Sequence, residues 1–164
     1  MPNWALIDPR SGRVRVAPAG RTENLFDAAA GQVGWRFGLD WLWNRDERAR
    51  QVLVGLSMPQ RELSARGWLA RGYRLNGKPL DGRGDIAQYV TALAPMLFRG
   101  NVEQASSAFT KFVLAPVVGA NSDAVDPTSR AWAWFGTAFI DGALVDLTGS
   151  ARQVDWSAAA GLGP

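Results

Sequence analysis

Apolar and polar positions alternate most sharply between residues 33 and 43, where Val33, Trp35, Phe37, Leu39, Trp41 and Trp43 interleave with Gly34, Arg36, Gly38 and Asp40. Such alternation reads as a half-buried strand, because successive side chains of an extended chain face opposite ways. The flanks read differently. Asn24 and Asp27 are helix-capping residue types ahead of the run, and a charged cluster begins at Arg45. Downstream, Val52, Leu53 and Leu56 recur at helical spacing within 45–58, and Leu63 and Trp68 do so within 60–73. Residues 74–85 are turn chemistry throughout, with Asn76-Gly77, Pro79 and Asp81-Gly82. Asp85 then caps a helix over 86–98 that ends at Gly100, and Asn101 caps another over 101–119. Trp132, Phe135 and Phe139 fall at i, i+3 and i+7 of a helix from Arg130 to Leu147, which Gly149 stops. Residues 1–22 read as loop, from Pro2, Pro9, Pro18 and the turn sequences DPRSG and PAGR.

A single strand among so many helical segments would have no partner, so consistency assigns 25–44 to a helix. That helix is apolar on almost every face, which predicts central burial. Gly34 and Gly38, one turn apart, predict the close approach of a neighbouring helix. Arg36 and Asp40 are placed to pair at i, i+4. The expected fold class is all-α, built from antiparallel helical hairpins in one domain over residues 1–150, with 151–164 a loose tail.

Composition narrows the chemistry. The 164 residues are 47% hydrophobic and 20% charged, as in a globular domain with a real core. No apolar run approaches the roughly 18–20 residues that span a membrane, and the N-terminal residues show no signal-peptide pattern. Histidine and cysteine are both absent, which removes Ser-His-Asp triads, cysteine nucleophiles, His/Cys zinc sites and disulfides together. No metal or cofactor is expected. The net charge is only +3 and the arginines are scattered without a basic stripe, which speaks against nucleic acid as a partner. Eight tryptophans leave two readings for each, packing in the core or lining a sugar cleft. Asp27 also has two readings. It stands at the mouth of a buried helix, where backbone N–H groups favour a carboxylate, as a cap or as a chemical group. Arg83-Gly84-Asp85 has the letters of an adhesion tripeptide but the position of a helix cap.

Three stretches, taken in order, resemble the C-terminal half of glycoside hydrolase family 8. The first is PNWALIDPRSG followed by LFDAAAGQVGWRFGLDWLWNRDERAR, similar to that family's proline-aspartate-tryptophan loop and Y-D-A-x-R-x-P-W-R helix. The second is GYRLNGKPL at 72–80, similar to G-Y-x-L-D-G-T-P-L. The third is AWAWFGTAFIDGALVDLTG at 131–149, placed where the family has an aromatic pair, a glycine and an aspartate.

The resemblance implies an inverting endo-β-1,4-glucanase and a partial (α/α)6 barrel, the six-hairpin glycosidase architecture. It implies Asp27 as the general base, with Phe26, Trp35, Tyr73, Asp85, Trp134 and Phe135 lining the substrate site. Phe26, Trp134 and Phe135 stand where the family has tyrosines, so those phenolic hydroxyls are missing. The family's general acid is a glutamate in an S-E-G-type stretch. Glu23, Glu47, Glu62 and Glu103 are the only glutamates here, and none lies in such a setting. Inverting hydrolysis needs two carboxyl groups roughly 6.5–9.5 Å apart, so the expected partners are a β-glucan and either a complementary half or a second copy. The chain alone is expected to bind glucan weakly or not at all, and to hydrolyse none. Members of the family are usually exported; the compartment of this chain is left open.

Overall fold

Asp27 ends a three-residue strand and starts the principal helix. In the computed structural model, which describes residues 5–16, 25–120 and 122–144, strand β3 (Leu25–Asp27) leads directly into α1 (Ala28–Asn44). Asp27 Oδ1 accepts from the backbone N–H groups of Ala29 (2.9 Å) and Ala30 (3.4 Å), satisfying two donors that the first turn leaves open. The helix stops at Arg45, whose left-handed φ of 55° is held by its N–H bond to the Trp41 carbonyl and by its guanidinium lying over the Trp41 ring. The alternating segment 33–43 is therefore helical, but the helix expected over 25–44 begins only at Ala28, because residues 25–27 find a strand partner in residues 72–74.

Strand β4 (Gly72–Arg74) pairs antiparallel with β3, with Leu25 opposite Arg74, Phe26 opposite Tyr73 and Asp27 opposite Gly72. A second small ribbon pairs β1 (Ala5–Ile7) with β2 (Val14–Val16). Its turn is organised by Asp8 Oδ1, which accepts from the N–H groups of Arg10 and Ser11. This corrects the reading of 1–22 as loop. Three-residue strands are too short to show alternation.

The remaining helices are α2 (Glu47–Gly55), α3 (Met58–Arg66), α4 (Ile86–Phe98), α5 (Val102–Phe109) and α6 (Ala115–Val118), the last two joined by one π-helical turn at Thr110–Leu114, and α7 (Pro127–Ile140). Helix α4 is the centre of the molecule, with every residue from Gln88 to Phe98 buried. Asp85 caps it by accepting from Gln88 N–H at 2.9 Å, so the 83–85 tripeptide is a cap. Helix α7 begins earlier than expected, with Asp126 as cap to Ser129 N–H and Pro127 in its first turn. It also ends earlier, at Ile140. Gly142 adopts φ 67° and donates to the Phe139 carbonyl, while Ala143 N–H bonds to the Ala138 carbonyl, a Schellman stop. Gly149 and the 151–164 tail lie outside the described residues.

Helices α1, α4 and α7 run in the same sense. Gly31 of α1 lies against Thr91 of α4, Gly34 against Pro95, Gly38 against Ala94, and the Trp41 ring meets Phe98 edge-on at 5.0 Å. A methyl group placed on Gly38 would sit 2.8 Å from Ala94 Cβ and 2.9 Å from Phe139 Cζ, so glycine permits this contact. The stripe expected from Gly34 and Gly38 is real, and Gly31 extends it. On the other side of α4, Gly136 of α7 packs on Val90. Helix α7 also reaches α1, where Phe139 packs on Trp35 and the Leu144 carbonyl accepts from Trp43 Nε1–H at 2.9 Å. The segments α2–α3 and α5–α6 make the return connections. Asp40 accepts from Asn44 Nδ2 at 2.7 Å, one turn onward, in place of the expected Arg36 pairing. The fold is thus predominantly helical, and among the described residues no helix is long and apolar enough to cross a membrane.

Candidate functional site

The β3–β4 ladder brings together two stretches that are distant in sequence. Phe26 and Tyr73 stand opposite each other with ring centroids 6.5 Å apart. Tyr73 is buried, and its hydroxyl accepts from Ala70 N–H at 2.9 Å. Burial pushes that phenol up to about 12. Tyr89 behaves alike: its hydroxyl accepts from Leu69 N–H, and burial pushes its pKa upward. Neither phenol is a proton donor of ordinary acidity.

Asp27 adjoins this pair in the ladder opposite Gly72 and caps α1. Asp85 caps α4 at the same end of the parallel pair. Trp134 and Phe135 flank the point where Gly136 of α7 packs on Val90 of α4, and Phe135 meets Trp35, two turns into α1, at 6.3 Å. Trp134 is 62% exposed and Phe135 41%, with their rings 5.1 Å apart and nearly perpendicular. Trp35 lies beneath them, buried against Phe139, Phe135 and Trp132. The seven residues named from the sequence therefore form two groups. Phe26, Asp27, Tyr73 and Asp85 belong to the ladder and the helix caps, while Trp35, Trp134 and Phe135 form an aromatic face on α7 and α1.

The tryptophans among the described residues divide between core and surface. Trp35 and Trp41 are core, Trp68 and Trp132 are half-buried, and Trp43 and Trp134 are exposed. Arg83 lies over Trp68 and Phe112, and Phe112 stacks on Tyr89 at 4.3 Å, so the arginine of the 83–85 tripeptide covers an aromatic pile.

Beneath the ribbon lies a cavity of about 450 Å³ between α1, α4, the α2–α3 junction and the β4 loop. Phe26 and Tyr73 line it; Asp27, Trp35, Asp85, Trp134 and Phe135 do not. Val33, Leu56, Met58, Leu69 and Gln88 complete its walls and escaped the sequence reading, because four separated segments contribute to it. No cluster of His, Cys, Asp and Glu suited to a metal ion occurs among the described residues. No known protein family, curated protein or solved structure matches the chain.

Proposed function

We propose that this chain forms the general-base side of a glycoside-hydrolase-like (α/α)6 barrel that acts on β-1,4-glucan, with Asp27 as the base. One observation carries the reading. The LFD and GYR stretches, two of the three that resemble family 8, pair residue for residue in one ladder, and the third stretch packs on the helix that this ladder starts. Three helices of the same sense joined by returning segments are also what half of such a barrel contains.

In this reading Trp134 and Phe135 offer flat apolar faces to pyranose rings. Asp27 takes a proton from water as the water oxygen attacks the anomeric carbon, and an acid opposite protonates the departing glycosidic oxygen. A complementary half or second copy supplies that acid, since no glutamate here has the required setting. General acid–base assistance is typically worth about 10²–10⁴ in rate, so the chain alone hydrolyses nothing and binds glucan weakly.

A second reading, sugar binding without catalysis, is favoured by Asp27 Oδ1, which is engaged by two backbone N–H groups as a cap. Reducing-sugar release from a soluble cellulose derivative separates the two. With a complementary glutamate-bearing helical half supplied, catalysis predicts turnover that Asp27→Asn abolishes. Turnover that survives Asp27→Asn would remove Asp27 from the chemistry.

A further inference from the structure

The cavity beneath the β3–β4 ribbon is unlike a sugar subsite. Its wall is largely apolar, Val33, Leu56, Met58, Leu69 and Leu75 among it, so a pyranose held there would leave hydroxyl groups facing carbon, at a cost for each one left unpaired. Its volume of about 450 Å³ falls in the range of small-molecule sites, and it opens to solvent beside the exposed Arg61, Arg74 and Leu75. Ser57, Arg61, Arg74, Gln88 and Thr91 interrupt the apolar wall. Arg61 lines the cavity from an exposed position, and its guanidinium forms no ion pair with any described residue. Gln88 is 3% exposed and its Oε1 has no hydrogen-bond partner among the described residues, an acceptor that a water beside a bound aliphatic chain would satisfy.

We propose that this cavity binds a small amphipathic carboxylate of the medium-chain aliphatic class, its chain among the apolar side chains and its carboxylate on Arg61. Arginine offers a carboxylate two parallel N–H donors, a geometry that fixes the head group while the apolar wall accepts any flexible chain of suitable volume. The site shares Phe26 and Tyr73 with the ladder but lies apart from the aromatic face of α7, and it does not depend on the glucan reading.

Sodium decanoate is the probe, titrated calorimetrically below the concentration at which it self-associates and followed by methionine-methyl NMR. Binding is expected to saturate at one per chain. The Met58 methyl should shift while that of Met96, which does not line the cavity, stays in place. Arg61→Gln should weaken decanoate about tenfold and leave decanol unchanged, the loss of one charge-assisted contact. Val33→Trp should fill the space and remove binding of both. No saturation, or an unmoved Met58 methyl, overturns the site. Equal affinities of decanoate for the native chain and Arg61→Gln overturn the anionic head group. Competition by cellohexaose overturns the separation from glucan, whereas failure of the glucan reading itself would be seen as no response to cellohexaose at all.

Discussion

Phe26 faces Tyr73 directly across the β3–β4 ladder, their ring planes tilted by 54°. The pair fixes where α1 begins, because Asp27 follows Phe26 and caps the helix. It also roofs the apolar cavity, so one contact serves the register of the ladder, the placement of the candidate base and the enclosure of a binding space.

The two buried phenols make stability sensitive to alkali. An unfolded tyrosine ionises near pH 10, whereas burial pushes Tyr73 up to about 12 and raises Tyr89 in the same direction. A folded pKa above the unfolded one means that the contribution is complete below about pH 10 and is lost as the pH climbs from there towards 12. Tyr73 and Tyr89 are the only tyrosines, so tyrosinate absorbance reports on them alone. It should rise together with loss of helical circular dichroism. Ionisation near pH 10 with the helices intact would contradict the buried geometry.

Capping and chemistry at Asp27 can be separated. Asparagine retains an oxygen acceptor for the Ala29 and Ala30 N–H groups, so Asp27→Asn should change stability by less than about 0.5 kcal/mol, while Asp27→Ala should cost about 1 kcal/mol. Urea melts of the isolated chain measure both. A loss of 1 kcal/mol or more in Asp27→Asn, with the completed enzyme still active, would make Asp27 a cap and nothing further.

The glycines of the helices should differ in sign. Gly38→Ala places a methyl against Ala94 Cβ and the fully buried Phe139, neither of which has room to retreat, so overpacking of about 1–3 kcal/mol should outweigh the gain in helix propensity. Gly55→Ala ends α2 with no atom within 4 Å of the new methyl and should stabilise the chain by up to about 1 kcal/mol. Thermal melts of the two variants should move in opposite directions.

Much of the fold was legible because helix signals are local. Asp85 was readable as a cap, and Gly34 and Gly38 as a contact stripe, from spacing alone. The boundaries of α7 were harder. Asp126-Pro127 is a strong start signal that the loop-like letters around it disguise, and Gly142 stops the helix before the more obvious Gly149. The 33–43 alternation imitated a strand because α1 is apolar on several faces, a consequence of contact with α2, α4 and α7. The cavity was illegible for a related reason. Its walls come from segments whose meeting depends on the β3–β4 pairing, and no local pattern encodes that. The candidate site was legible only through resemblance, since Asp27 has the same local signature as cap and as base.

Recognition of glucan by the aromatic face of α7 and α1 is tested most directly by amide and indole NMR of the chain during a cellohexaose titration. Trp134→Ala serves as the control, an exposed change expected to leave stability within about 0.5 kcal/mol. Weak, saturable shifts at the Trp134 indole N–H and the amides of Phe135, Phe26 and Asp27, greatly reduced in Trp134→Ala, are the expected result. A spectrum unchanged at saturating cellohexaose, or shifts confined to other faces of the molecule, would contradict it.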